Sequence, residues 1–415
     1  MQSSEPQRPL PAALRSERRR HALMLCLIIV LAYVYCRNAV IVGDEVVHEA
    51  QIRRFLLGDF SIDPRLTTIP GYHLLVAALS WPFGAYSLAT VRGISTLFGT
   101  ALVLVYALLL RERFGAVSPQ RLMQFAFFPI FLPYFYLAYT DVLSLLLVFG
   151  GLWLALRRQA IPAALILALS MCVRQQNVIW LLAVPVLVYC RDSGFRWCRE
   201  TLKAQLAGGA AVYGLALAGF AVFVLWNGGV AVGDRGAHQL SGLFVGNVFF
   251  MLLLYAIFLL PSVIANLPAT LAYARHHGAA PLWLAALLVV YLFGFQNSHP
   301  YNAIQPEYFL RNGLLTLLSS SLPVKLLFFI PIALAALDWL AMAQRRPELY
   351  VIAAFSVLAL LPSWLIEQRY MMIPFALLLL YRDEDRPGVQ ALTAALYAVV
   401  AVVFVYGTAT LRFFL

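Results

Sequence analysis

Charged residues are scarce in this chain. Asp, Glu, Lys and Arg make up 12% of its 415 residues, whereas soluble domains carry about a quarter. No stretch is polar enough to form a second globular domain. The long apolar runs do not alternate with polar residues, which argues against a β-barrel. With 62% hydrophobic residues, the composition predicts an all-α polytopic membrane protein with a single transmembrane domain.

Motifs of the common hydrolases and nucleotide-binding proteins are absent as well. The chain contains no HExxH and no GxSxG, and its glycine-rich stretch at 227–239 lacks the Lys-Ser/Thr ending of a P-loop. The five cysteines are odd in number and scattered, with neither disulfide nor metal-ligand spacing. Asp44, Glu45 and Asp234 could hold a metal ion, but nothing in their spacing argues for one.

The net charge of +11 suits either nucleic acid or anionic lipid as a partner. We favour a simpler explanation, that the cytoplasmic loops of membrane proteins carry excess Lys and Arg, and we expect no nucleic-acid partner. Arg15 and the run Arg18–Arg20 precede the first apolar segment, so residues 1–20 are predicted to form a cytoplasmic tail. With sides alternating from that start, most Lys and Arg fall inside, which supports this orientation.

Apolar segments recur through residues 21–415, and we predict about thirteen transmembrane helices. The predicted segments are 21–42, 92–110, 119–138, 141–156, 160–173, 177–190, 209–226, 243–262, 281–297, 322–342, 349–366, 370–381 and 389–411. Several are shorter than the ~20 residues that a full crossing needs. We expect the ends of these short segments to line a cavity enclosed by protein.

The first long polar interval, residues 43–91, follows the first predicted span and should be external. It begins with Asp44 and Glu45, and His48 lies one helical turn after Asp44. Charged side chains at a membrane face are costly, which indicates a function. Either acid is a candidate catalytic base, and the alternative is a solvated acidic helix start. Its second half, Thr68–Thr90, is moderately apolar and is predicted to form a helix along the membrane interface, with a true span as the alternative.

Further polar clusters fall on the same predicted side. The set is Asp44–Arg65, Tyr139–Asp141, Arg174–Asn177, Asn227–Gln239, Asn297–Asn312 and Glu367–Tyr370. This one-sided clustering predicts a single pocket that faces the lumen or the periplasm. The alternative for Arg369 is a structural ion pair with Glu367 or Asp141. The alternative for the glycine-rich stretch is a flexible loop.

Six stretches, in chain order, resemble motifs of the dolichyl-phosphate-glucose α-1,2-glucosyltransferase family. They are GDEVVHEAQIRRFLLGDFS from Gly43, AYTDVLS from Ala138, VRQQNVIW from Val173, WNGGVAVGDRGAH from Trp226, HPYNAIQPEY from His299 and EQRYMMIPF from Glu367. The resemblance covers most of the chain. It implies a GT-C glycosyltransferase bundle, interfacial helices in the first external loop and a polyprenyl-phosphate sugar as donor.

The resemblance also implies roles for individual residues. It points to Asp44 as general base, with Glu45 and His48 beside it. Further acceptor-binding candidates are Asp141, Asp234 and His238, and the candidates for binding the donor phosphate are Arg174, Arg235, His299 and Arg369. A base takes the proton of the weakly nucleophilic hydroxyl, and arginines stabilise the departing phosphate. Because arginines suffice for that task, we expect no obligatory metal or other cofactor.

The chain departs from the family pattern at three places. His299–Tyr308 lacks the family's DNRH core, Ile62 stands where the family has Trp, and Asp141 stands where it has Glu. These departures leave the acceptor glycan open, and another lipid-linked glycan is an alternative.

The sequence therefore predicts an inverting glycosyltransferase. It would move glucose from polyprenyl-phosphate-glucose to the 2-hydroxyl of a lipid-linked oligosaccharide, both held in membrane lipid, and form an α-1,2 linkage. The alternatives are a transporter or flippase of lipid-linked sugars, for which the sequence shows no inverted repeat, and an inactive scaffold subunit. A eukaryotic enzyme would lie in the endoplasmic reticulum membrane with a lumenal site, and a bacterial one in the inner membrane with a periplasmic site.

Overall fold

The computed structural model describes residues 12–84, 86–236 and 242–415. These residues form α-helices joined by short 3-10 turns and loops, with one isolated parallel β-bridge between Phe309 and Phe414. The helices are α1 (Ala12–Cys36), α2 (Glu45–Leu56), α3 (Gly71–Ser80), α4 (Leu88–Phe114), α5 (Pro119–Ala126), α6 (Thr140–Leu156), α7 (Ala160–Val173), α8 (Val178–Ser193), α9 (Arg199–Asn227), α10 (Gly246–Phe258), α11 (Leu260–His276), α12 (Ala280–Gly294), α13 (Leu310–Leu318), α14 (Leu322–Arg345), α15 (Glu348–Leu360), α16 (Met372–Tyr381) and α17 (Pro387–Ala409).

Four of these helices are long and apolar enough to cross a membrane, namely α4, α9, α14 and α17. The pair α10 and α11 would count as a fifth span, although the two helices meet at an angle of 99°. Helices α6, α7, α12 and α15 are apolar but shorter. The all-α fold of a polytopic membrane protein is thus confirmed for the described residues, whereas the number of about thirteen spans stays a prediction.

The predicted span 119–138 is wrong as a single helix. Helix α5 ends at Ala126, and the following chain runs irregularly into a 3-10 turn at Leu132–Tyr136. Pro129 and Pro133 lie in this stretch, and proline interrupts a helix because it lacks the N–H donor. The side chains from Phe125 to Tyr136 are buried in protein. Their apolarity therefore reflects the protein core rather than contact with lipid.

Two other predicted spans also differ. The segment predicted at 243–262 ends as a helix at Phe258, and α11 begins at Leu260 with Pro261 in its first turn. The segment predicted at 370–381 becomes α16, whose ten residues are all buried. Ten residues reach only about 15 Å along a helix axis, so α16 is a core helix inside the bundle.

Two short helices, α2 and α3, lie within residues 43–91, the segment predicted to form the first external loop. Helices α2 and α3 pack together and against α4 through a separate apolar cluster that includes Ile52, Tyr72 and Val91. Two hydrogen bonds hold the start of α2 beside the loop that precedes α6, one from the Ala138 N–H to Glu45 and one from the Asp44 N–H to Tyr139. Whether α2 and α3 lie along the membrane surface stays a prediction.

Candidate active site

All six predicted polar clusters contribute to one cavity of about 380 Å³. Its walls come from the loops before α2, α3, α6, α8, α13 and α16, and from the glycine-rich loop after α9. The charged side chains that line it are Asp44, Arg65, Arg174, Asp234, Arg311, Glu367 and Arg369. A cavity of this size with convergent charged groups is typical of a small-molecule site.

Asp44 stands at the N-terminal end of α2 with its side chain 56% exposed to the cavity. Its backbone N–H donates to Tyr139 Oη over 2.8 Å, and that hydroxyl donates to the Val42 carbonyl over 3.1 Å. The preceding Gly43 has φ of +54°, and a Cβ there would collide with Tyr139 Oη. The tight turn therefore requires glycine and fixes the direction in which the Asp44 carboxylate points.

Arg369 is the centre of an acidic cluster behind Asp44. Its Nη2 donates to Asp44 Oδ2 at 2.7 Å, and its Nε donates to Glu367 Oε1 at 2.8 Å. Asp141 Oδ2 lies 3.6 Å from the same guanidinium. The ion pairs considered as an alternative for Arg369 are thus present, and they coexist with a contact to the candidate base.

Two further arginines complete this cluster. Arg174 donates to Asp141, and its guanidinium lies 5.6 Å from the ring centroid of Tyr370. Arg311 lies 2.9 Å from Glu367 Oε1. Burial raises the pKa of Glu367, but Arg369 and Arg311 outweigh that effect and hold the pKa below its ordinary value. Arg311 was not among the site residues predicted from the sequence, although it lies within the predicted polar cluster Asn297–Asn312.

Glu45 faces away from the cavity, unlike its neighbour Asp44. It is fully buried and forms a two-pronged ion pair with Arg92, with distances of 2.8 and 2.6 Å. Its oxygens also accept from the backbone N–H groups of Ala138 and Val42. Glu45 therefore has a structural role, because its carboxylate joins the start of α2 to Arg92 of α4 and to the backbone at Ala138. Arg92 was not predicted from the sequence as the partner of Glu45. The observation that could have identified it is a single charged residue near the start of a long apolar segment.

His48 lines the cavity one turn after Asp44. Its Nδ1 lies 2.9 Å from Nε2 of His73, a residue of α3 that sequence reasoning did not single out. Both imidazoles are buried. Burial, together with the charges of Arg369 and Arg174, lowers the pKa of His48 to about 3. The His48 ring thus stays neutral and offers a hydrogen bond rather than a charge.

The glycine-rich loop after α9 closes one side of the cavity. The Val232 N–H donates to the Thr67 carbonyl over 3.1 Å. A Cβ on Gly233 would collide with the carbonyl oxygen of Leu66. Gln175 Nε2 donates to the carbonyls of both Thr67 and Val230, over 3.0 and 3.1 Å. This loop therefore docks directly onto the first external loop and carries Asp234 into the cavity wall.

Two of the predicted acids, Glu45 and Asp141, do not line the cavity, and neither do the predicted phosphate ligands Arg235 and His299. Arg235 instead binds its own loop, with Nη2 donating to Asn227 and Nε donating to the Ala231 carbonyl over 3.2 Å. His299 is buried beside the wall, where its Nδ1 accepts from the Tyr301 N–H over 3.1 Å. His238 lies outside the described residues. The roles predicted for Arg235, His299 and His238 remain predictions.

Within the described ranges, no three His, Cys, Asp or Glu side chains form a group that could hold a metal ion. Asp44, Asp141 and Glu367 are instead held by guanidinium groups. The predicted independence from metal stays a prediction.

Comparison with known proteins gives a consistent family match. The model of the DIE2/ALG10 family matches residues 36–206 and 193–380. One similar curated protein, from Candida glabrata, is 27% identical over 52% of this chain and 46% of its own length. Another, from Drosophila melanogaster, is 28% identical over 62% of this chain and 64% of its own length. A third, from Arabidopsis thaliana, is 24% identical over 81% of this chain and 85% of its own length.

All three relatives are named Dol-P-Glc:Glc(2)Man(9)GlcNAc(2)-PP-Dol alpha-1,2-glucosyltransferase. The chain spans about half to two thirds of the length of the first two. No solved structure gives a significant match.

Proposed function

Because the chain belongs to the DIE2/ALG10 family, we propose that it is an inverting glucosyltransferase. It moves glucose from polyprenyl-phosphate-glucose to the 2-hydroxyl of a lipid-linked oligosaccharide and forms an α-1,2 linkage. The names of the curated relatives support this donor and this class of acceptor. They give no support to the transporter alternative.

The observation that carries the proposal is the exposed Asp44 carboxylate in a cavity surrounded by arginines. A sugar hydroxyl is a weak nucleophile near neutral pH, so its proton must be removed as it attacks the anomeric carbon. We assign this step to Asp44. The hydroxyl approaches the face of the glucose opposite the phosphate, and a single displacement converts a β-linked donor into an α-linked product.

The departing lipid phosphate gains negative charge, which guanidinium groups stabilise. Arg174 and Arg311 line the cavity and are candidates for this role, and so is Arg65, whose side chain is 58% exposed. Arg369 binds Asp44 itself, which favours a role in orienting the base. Because guanidinium groups neutralise the phosphate, the proposed reaction needs no obligatory metal.

His48 and Asp234 line the same cavity as Asp44, and we propose that they bind the acceptor. His48 is neutral and contributes one ring nitrogen to a sugar hydroxyl. Asp234 accepts from a hydroxyl group, as carboxylates do. Asp141 lies behind Arg174 and Arg369 and acts through them.

We also propose the finer architecture and the location. Residues 21–415 form one GT-C-type bundle, with residues 1–20 as a cytoplasmic tail and α2 and α3 lying at the interface. The cavity opens on the side of the first external loop. Relatives from fungi, insects and plants support the endoplasmic reticulum membrane with a lumenal site. In a bacterium the same orientation gives a periplasmic site.

A transfer assay tests the function. Purified protein in detergent receives polyprenyl-phosphate-glucose and a panel of lipid-linked oligosaccharides, with and without EDTA. We expect an α-1,2-linked glucosyl product, formed also in EDTA, and its loss by a factor of about 10² or more in Asp44→Asn.

Asp59→Asn is the matched control, because Asp59 belongs to the same external loop but does not line the cavity. Near-full activity of a folded Asp44→Asn protein would contradict the assignment of the base. Donor binding without transfer to any acceptor would contradict the proposed acceptor class.

A further inference from the structure

Two aromatic side chains on one wall of the cavity have no part in the proposed chemistry. Tyr301 and Trp364 both line the cavity, and Tyr301 is 43% exposed. Trp364 donates from Nε1 to Ser298 Oγ over 3.0 Å, which fixes the plane of the indole. Its ring also stacks on Phe244, with the centroids 6.3 Å apart and the planes inclined by 24°. The indole is therefore held in place before any ligand arrives.

His299 holds the two rings relative to each other. Its buried imidazole lies 5.2 Å from the Tyr301 ring and 4.6 Å from the Trp364 ring, measured between centroids. The three rings form a continuous aromatic wall, with His299 behind and between the two rings that reach the cavity. His299, whose predicted role as a phosphate ligand stays a prediction, thus also packs against both rings.

The wall is tied rigidly to the candidate base. Asn302 Oδ1 accepts from the Ile366 N–H over 3.0 Å, and Asn302 Nδ2 donates to the Ile366 carbonyl over 2.9 Å. This reciprocal pair fastens the segment of Tyr301 to the segment of Trp364. The next residue, Glu367, binds Arg369, which in turn binds Asp44. The rings and the carboxylate thus share one hydrogen-bonded framework, and their separation is preset.

On the basis of the proposed function, we propose that Tyr301 and Trp364 bind a hexose of the acceptor oligosaccharide by stacking against its C–H face. Pyranose rings have an apolar face, and aromatic side chains provide large, stiff apolar surfaces for ligands. The donor carries a single sugar, whose contacts end at its phosphate and lipid. The acceptor is an oligosaccharide that must extend out of the cavity, and a partly exposed aromatic wall suits that longer ligand.

The test separates acceptor binding from chemistry. Trp364→Leu and Tyr301→Leu keep an apolar side chain but remove the flat ring, whereas Tyr301→Phe keeps the ring. We expect each Leu variant to raise the KM for the acceptor by about tenfold, with kcat and the KM for the donor changed by less than about twofold. Tyr301→Phe should resemble the parent protein. Trp226→Leu is the matched control, since Trp226 is 85% exposed at the end of α9 and does not line the cavity.

Direct binding gives a readout that does not depend on turnover. The dissociation constant of the lipid-linked oligosaccharide, measured without donor, should rise about tenfold in Trp364→Leu and stay unchanged in Trp226→Leu. An unchanged acceptor KM and dissociation constant in both Leu variants would overturn the inference, and so would an equal rise in the KM of donor and acceptor. Failure of the parent protein to transfer glucose would instead contradict the proposed function, and the binding series would still decide whether the wall holds a glycan.

Discussion

Arg369 Nη2 lies 2.7 Å from Asp44 Oδ2 and 2.6 Å from Glu367 Oε1. The candidate base is thus held by an arginine that is itself held from behind by a buried carboxylate. Such an arrangement restricts the rotation of the exposed Asp44 side chain, which lines the cavity. A general base accelerates the reaction only when it lies within hydrogen-bond reach of the proton that it removes.

Replacement of Arg369 distinguishes an orienting role from phosphate binding. Lys keeps the positive charge but lacks the planar fork that serves several carboxylates at once. We expect Arg369→Lys to lower kcat by about 10²-fold and to change the KM for the donor little. Steady-state kinetics with both substrates varied measure this split. A large rise in donor KM at constant kcat would instead favour the phosphate contact predicted from the sequence.

The buried pair of Glu45 and Arg92 should determine stability rather than catalysis. Both side chains are at most 1% exposed, and removal of one partner leaves an uncompensated buried charge. We expect Glu45→Gln or Arg92→Met to destabilise the protein by about 3–5 kcal/mol, measured as thermal unfolding in detergent. The double variant should be less destabilised than the sum of the two. Arg53→Gln, at an exposed position on the same helix, serves as the control, and equal effects at both sites would refute the argument.

The docking of the glycine-rich loop depends on Gly233. An added methyl group would meet the Leu66 carbonyl and push the loop off the first external loop. We expect Gly233→Ala to lower transfer activity by about 10²-fold, since small displacements of a positioned group are costly. Gly236→Ala is the matched control, because among the described residues a Cβ there meets only Asp234 Oδ1, at 3.8 Å. Equal activities of the two variants would show that the contact at Gly233 is unimportant.

The buried His48 should make stability depend on pH. Its pKa is lowered to about 3, so between this value and the ordinary 6.5 the unfolded chain binds a proton that the native protein does not. The free energy of unfolding should therefore fall as the pH drops below 6.5, by up to about 1.4 kcal/mol per pH unit from this group. His73, whose pKa is also lowered by burial and by His48, adds to the effect.

Melting temperatures measured in detergent from pH 7.5 to 5.5 test this expectation. We expect His48→Asn to flatten the slope of melting temperature against pH, whatever its effect at pH 7.5. His276→Asn, at an exposed position, is the control for the loss of any histidine. A slope in His48→Asn identical to that of the parent protein would contradict the prediction.

Much of the site could be predicted because polar residues are expensive in a membrane protein. In a chain with few charges, loops that contain Asp44, Arg174 and Arg369 stand out, and all three do meet at one cavity. The direction of each side chain could not be predicted. Asp44 and Glu45 are neighbours in sequence, yet one faces the cavity and the other a buried arginine.

The number of spans was the harder part to predict, for a physical reason. Apolar side chains are equally suited to lipid and to the interior of a protein, so composition does not distinguish the two. The stretch from Phe125 to Tyr136 and helix α16 have the hydropathy of membrane spans but are packed inside the bundle. The sequence likewise does not distinguish a polar residue that lines the site from one that stabilises a loop. Arg235 was predicted to bind phosphate, but it donates hydrogen bonds to Ala231 and Asn227 of its own loop.

The contact between Asp44 and Arg369 joins residues 325 positions apart. At a synthesis rate of about 5–20 residues per second, Asp44 leaves the ribosome roughly 15–65 s before its partner. During that interval the base has no orienting guanidinium, and the wall that contains Trp364 has not been made. A nascent chain thus acquires a working site only when its late helices have joined the early ones, so activity itself reports that membrane insertion has been completed.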